Sequence, residues 1–85
     1  MRTNDQGVDA KRIGRRIAAL RTLRGLGQAQ LASAAAVSSA AVSRLERGIH
    51  RPHRLTIAAI ARALDIPVED LIAAGRLHAV EGGAP

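Results

Sequence analysis

Between Gln28 and Gly48 the chain reads QAQLASAAAVSSAAVSRLERG, and this stretch constrains the fold more than any other. Leu31, Ala32 and Ala35 fall at i, i+1 and i+4, one apolar stripe of a helix beginning at Gln28. Val42 and Leu45, three apart, mark the inward side of a second helix that begins after Ser38. Ala36, Val37 and Ser38 lie between the two stripes, too few residues to do anything but turn the chain sharply.

The start signals around this pair repeat along the chain. Ser38 is a good N-cap, with Val37 before it and Val42 four positions into the helix, the arrangement of a hydrophobic staple. Gly27 stands at the equivalent place before Gln28, flanked by Leu26 and Leu31. Asp9 does the same for an earlier helix, between Val8 and Ile13. That first helix carries Ile13, Ile17 and Leu20 on one side and Lys11, Arg12, Arg15 and Arg16 on the other. Gly25 ends it, and Gly48 ends the third. Residues 49–54, IHRPHR, read as a loop, since Pro52 cannot continue a helix and pushes Arg51 to extended backbone. A fourth helix is expected over roughly Leu55 to Leu64, with Ile57, Ile60, Ala61 and Leu64 on its apolar face. Pro67 opens a fifth, with Glu69 and Asp70 in the first turn and Val68, Leu71 and Ile72 inward. Gly75 is expected to end it. The division that follows is a flexible arm over residues 1–7, a folded unit over 8–75 and a tail over 76–85.

Two helices joined by so tight a turn have the geometry that lays the second in a DNA major groove. Charge agrees with that reading. The chain of 85 residues carries +6, and eleven of its thirteen Lys and Arg lie between Met1 and Arg54, against Asp5, Asp9 and Glu46 alone. After Arg54 the balance reverses, with Arg62 and Arg76 facing Asp65, Glu69, Asp70 and Glu81. A polyanion is the natural partner of the cationic part. The plainer alternative is a solvated, arginine-rich surface with no partner.

Composition closes off other classes. No cysteine is present, so neither a disulfide nor a thiolate metal site is available. Aromatic residues are absent as well, which leaves Leu, Ile, Val and Ala to build one small core. No apolar run approaches the roughly 18 residues of a membrane span, and the first dozen residues lack the apolar stretch of a signal peptide. A cytoplasmic protein is the expectation, with no membrane and no cofactor. His50 and His53 are three apart on a Pro-containing loop and make a poor metal site. Ser38, Ser39 and Ser43 have no His–Asp pattern around them, so an enzyme is not expected.

RGLGQAQLA from Arg24, VSSAAVSRLERG from Val37 and the T-I-x-x-I-A-x-A-L segment from Thr56, followed by DIPVEDL, match in register. Together they make the chain resemble the phage repressor and Cro-like helix-turn-helix (XRE) family over about Ile13 to Ile72. The resemblance implies an all-α, compact five-helix bundle of the lambda-repressor-like DNA-binding type, with the helix-turn-helix at its centre. It implies that Gln28 orients the recognition helix and contacts the DNA backbone, and that Ser38 caps that helix beside a phosphate. Ser39, Ala40 and Arg44 match the base-reading positions, with Ser43 nearby. Arg44 is the strongest reader, because a guanidinium pairs bidentately with guanine. Arg47, Arg51, His53 and Arg54 would hold phosphates, setting register without reading sequence. Arg21 and Glu46 match a salt bridge between the first helix and the end of the third; the alternative is two unrelated surface charges.

Two residues depart from the family pattern. Gly27 stands where Ser or Thr is usual, which removes a side-chain cap. Ala36 stands where Gly is usual, at a turn that favours positive φ, and should lower stability.

The function implied is a sequence-specific transcriptional regulator of double-stranded DNA. It would act as a homodimer on a pseudo-palindromic operator, paired through the fourth and fifth helices, since one small domain makes few base contacts. The rival expectations are an antitoxin-like or bridging protein-interaction module, and a controller of restriction–modification genes.

Overall fold

The computed structural model describes the backbone of residues 9–83 and the side chains as far as Arg76. Five helices follow one another: α1 (Ala10–Leu23), α2 (Gln28–Ala35), α3 (Ser39–Arg47), α4 (Arg54–Ala63) and α5 (Val68–Gly83). The all-α bundle implied by the family pattern is what the chain forms. Residues 1–7, expected as an arm, and Val8 of the expected staple lie outside the described residues.

The starts are local. Asp9 Oδ1 accepts hydrogen bonds from the Lys11 and Arg12 amides at 3.0 and 3.3 Å, and Ser38 Oγ accepts from the Ala41 amide at 3.0 Å. Gly27 has no side chain to offer, but its own N–H donates to Gln30 Oε1 at 2.7 Å, the reciprocal half of a capping box. His53 caps α4, its Nδ1 accepting from the Leu55 amide at 3.1 Å. The helix therefore begins at Arg54, one residue before its expected start.

Four helices end on one device. Gly25, Ala36, Gly48 and Asp65 all have left-handed backbone, with φ between 59° and 69°. The next residue in each case donates its N–H five residues back: Leu26 to Arg21 O, Val37 to Ala32 O, Ile49 to Arg44 O and Ile66 to Ala61 O. This is the Schellman arrangement, which satisfies carbonyls the helix end would leave open. In three of the four turns the apolar residue that follows, Leu26, Val37 or Ile66, packs on the core and sets the exit direction of the chain.

The core is aliphatic throughout. Ile13, Ile17, Leu31, Ile60, Leu64, Leu71 and Val42 are essentially inaccessible, and no polar or charged residue is buried among the described residues. Full burial of each large side chain contributes on the order of 1.5–3 kcal/mol. Val68 and Ile72, expected inward, are only half-buried. α1 packs on α3 and α5, α2 on α3 and α4, and α4 on α5.

Glycines permit the closest of these crossings. A Cβ on Gly14 would stand 2.3 Å from the Leu45 carbonyl oxygen and 2.7 Å from that of Glu46, so α1 meets α3 backbone to backbone. Gly75 does not end α5, contrary to the expectation. It lies inside that helix, where a Cβ would meet Ile13 Cγ1 at 3.0 Å, and its carbonyl accepts from the Asp9 amide at 3.3 Å. The helix accordingly runs on to Gly83 through residues expected to form a tail. No helix among the described residues is long and apolar enough to cross a membrane.

Candidate nucleic-acid interface

The tight turn is built from Ala36, Val37 and Ser38. Ala36 adopts φ 59° and ψ 41°, reversing the chain within one residue of the end of α2. The chain bends at Val37, and Ser38 returns to extended backbone and caps α3. The amides at the start of α3 thus point outward, in the orientation that favours an anion.

Along α3 the two faces separate cleanly. Val42 and Leu45 are buried against the core. Ala40, Ser43, Arg44 and Arg47 recur at i, i+3, i+4 and i+7, which places them together on the opposite side. Of these Ala40, Arg44 and Arg47 are exposed and Ser43 is half-buried; Ser39 is exposed on the flank of the first turn. Arg47 Nε lies 3.4 Å from the Ser43 carbonyl, a long bond that keeps the guanidinium over the last turn. Arg44 reaches outward from the centre of this face.

What holds α3 at its angle is a cluster around Glu46. Arg21 Nε donates to Glu46 Oε2 at 2.6 Å and Arg21 Nη2 to Oε1 at 3.1 Å. Gln28 Nε2 donates to the same Oε1 at 2.9 Å. Arg21 Nη1 donates in addition to the Leu26 carbonyl at 2.8 Å, inside the turn between α1 and α2. The side chains of Arg21 and Glu46 are 18% and 8% exposed, so most of this network is removed from solvent. Donating to Glu46 raises the Arg21 pKa further, against the opposing effect of burial. Gln28 therefore spends at least one amide hydrogen on α3 and orients the helix by direct contact.

The loop after α3 adds further cations. Arg51, His53 and Arg54 are exposed around half-buried Pro52. His53 is first a helix cap: with Nδ1 accepting from Leu55, the ring proton sits on Nε2, leaving that edge as the donor. Arg54 occupies the first turn of α4.

Three structural roles were not read from the sequence. Gln30 three residues after Gly27 is the capping-box spacing and was a usable signal. His53 is a less common cap, and only its place before the apolar pattern of α4 pointed to one. The Gln28–Glu46 contact joins residues 18 positions apart and had no local signature.

Comparison with known proteins agrees with this geometry. A family model described as a helix-turn-helix domain matches residues 12–82. The chain is similar to the restriction-modification controller protein C.AhdI from Aeromonas hydrophila, at 35% identity and a TM-score of 0.71, covering 74% of this chain and 96% of that one. It is similar to PlcR from Bacillus thuringiensis, whose crystal structure holds a peptide and DNA, at 35% identity and a TM-score of 0.67. That match covers 73% of this chain and only 22% of PlcR. The clp gene regulator ClgR from Corynebacterium glutamicum is 26% identical with a TM-score of 0.72, over 86% of this chain and 82% of that one. No curated protein matches at a comparable level.

Proposed function

The chain belongs to the helix-turn-helix domain family of DNA-binding transcriptional regulators, and we propose that it reads the major groove of a pseudo-palindromic operator as a homodimer. The observation that carries this reading is the outward face of α3. Arg44 stands at its centre, Ser39, Ala40 and Ser43 lie around it, and capped amides sit at its start. In the proposed complex Arg44 pairs with guanine, and the small side chains let the helix approach closely enough for that contact. Ser38, Gln28, Arg47, Arg51, His53 and Arg54 hold phosphates on either side, fixing register.

Dimerisation through α4 and α5 fits the charge distribution, because the acidic residues Asp65, Glu69 and Asp70 gather between those helices and at the start of α5, whereas most of the cations precede α4. Two copies double the base contacts and so raise the specificity ratio. The corresponding site of action is the cytoplasm, on the nucleoid. Within this class the similarity to C.AhdI, which the chain covers almost end to end, favours control of restriction–modification genes as the specific role.

Selection of bound duplexes from a random DNA pool tests the proposal. One enriched inverted repeat is the expected result. Absence of any enriched sequence, in a protein with a normal helical spectrum, would leave a protein-interaction module as the better reading.

A further inference from the structure

A hollow of about 480 Å³ opens between the loop after α3, the first turn of α4 and the middle of α5. Its rim carries Arg51, His53, Arg54 and, from α5, Arg76; Ile57 and Ile72 form its floor. No carboxylate lines it. Three arginines around one hollow concentrate positive charge there, which an entering anion would relieve.

Among the described residues, the carboxylates nearest to Arg76 are engaged or distant. Asp9, brought near by the bond of its amide to Gly75, uses its carboxylate to cap α1 and lies 3.8 Å from Arg12 Nε. Glu69 and Asp70 sit about two turns earlier on α5, roughly 9 Å away along the axis. The residues three and four positions from Arg76 are Ile72, Ala73, Ala79 and Val80, none of them acidic. Neither Arg54 nor Arg76 has an ion pair among the described residues.

Position tells which anion. Arg51, Pro52 and His53 also wall a second, smaller hollow on the other side of the loop, shared with Ala41 and Arg44 of α3. The cationic surface is thus continuous from the base-reading face, across the loop, to α5. We infer that Arg76 completes a seat for a DNA phosphodiester outside the helix-turn-helix, with the deoxyribose against Ile57 and Ile72. The inference rests on the DNA-binding reading above and extends it: α5 adds a backbone contact, so the footprint is wider than α2 and α3 alone would make. An aliphatic floor beneath arginines suits a sugar–phosphate unit better than a bare ion, because the apolar sugar face is covered while the charge stays at the rim.

The test is the salt dependence of duplex binding, followed by anisotropy of a labelled duplex between 50 and 200 mM KCl. Wild type is compared with Arg76→Gln, Arg76→Lys and, as an exposed arginine outside the hollow, Arg62→Gln. Arg76→Gln should flatten the slope of log K against log salt by about 0.9 per protomer bound, and Arg76→Lys and Arg62→Gln should leave it unchanged. Arg76 is exposed, so the Gln variant should keep its helical spectrum and its sedimentation behaviour. An unchanged slope for Arg76→Gln overturns the inference while DNA binding stands. Failure of the wild-type protein to bind any duplex overturns the function itself. A third arm titrates inorganic phosphate into the DNA-free protein by NMR. Saturable shifts at Arg54 and Arg76, with an unchanged DNA slope in Arg76→Gln, would assign the hollow to a free phosphate ester and also overturn the backbone contact.

Discussion

Arg21 grips Glu46 through two nitrogens, at 2.6 and 3.1 Å, and thereby fastens α1 to the last turn of the helix whose other face points outward. The pair lies 25 positions apart in the chain and shares its carboxylate with Gln28 of α2, so one acidic group fixes three helices. It is also the only acidic residue between Lys11 and Arg54. A carboxylate turned inward here removes a repulsive charge from the surface proposed to meet a polyanion.

That relationship predicts strong coupling. Glu46→Ala would strand a mostly buried guanidinium, and Arg21→Ala a carboxylate. Each should cost up to roughly 3–5 kcal/mol, the range for breaking a buried pair. The double variant should lose much less than the sum of the two. Urea unfolding followed by helical circular dichroism measures all three, since the chain has no aromatic residue for fluorescence. Simple additivity would show that the pair contributes nothing of its own.

Ala36 carries a second prediction. Its left-handed backbone, φ 59°, brings a Cβ–carbonyl clash of about 1–2 kcal/mol that glycine does not have. Glycine loses more conformational entropy on folding, about 0.5–1 kcal/mol relative to alanine. Ala36→Gly should therefore stabilise the fold by a few tenths to about 1 kcal/mol, raising the urea midpoint. Operator affinity of the folded protein should change little, because the residue lies behind α3. A lower midpoint would mean that Ala36 is not left-handed in solution.

Gly14 makes the opposite case. It is a helical glycine with ordinary backbone, where Ala is favoured by about 1 kcal/mol on propensity alone. The backbone oxygens of Leu45 and Glu46 stand where the methyl group would go, and they cannot rotate away. Gly14→Ala should lower stability by about 1–3 kcal/mol and tilt α3, weakening DNA binding as well. A variant that melts higher than wild type would show that α1 and α3 lie further apart than the structure has them.

The proposed interface predicts a split between two arginines. Arg44→Ala should weaken binding to the selected operator by about 1–3 kcal/mol and relax preference at one base pair per half-site. Arg51→Ala should weaken binding to all sequences alike and lower the salt slope by about 1 for each phosphate it no longer neutralises. Identical, sequence-independent losses in both would remove Arg44 from base reading.

How much of this was legible beforehand depends on the range of each interaction. Asp9 and Ser38 cap amides two or three residues ahead, and Gly25 and Gly48 end helices through their own φ. Such features are complete within one turn of chain, so the residues state them without help. The apolar stripes are nearly as local: Ile13, Ile17, Leu20, Val42, Leu45, Ile57, Ile60 and Leu64 are buried in the periodic order that their spacing sets. The outward face of α3 follows from that periodicity, since the side opposite Val42 and Leu45 has nowhere to point except away from the core.

Tertiary structure decided what depends on which helix lies next to which. A glycine reads the same whether it ends a helix or admits a neighbour, and only the approach of Ile13 and Asp9 made Gly75 the second kind. With that, residues expected as tail became helix. Asp65 took left-handed backbone because the chain had to turn between α4 and α5 with Ile66 folded back on the core. Arg76 joined the cations of a loop more than 20 residues earlier for the same reason. One-turn interactions are fixed by neighbours in sequence, whereas these positions are fixed by neighbours in space, chosen when five short helices bury one aliphatic core together.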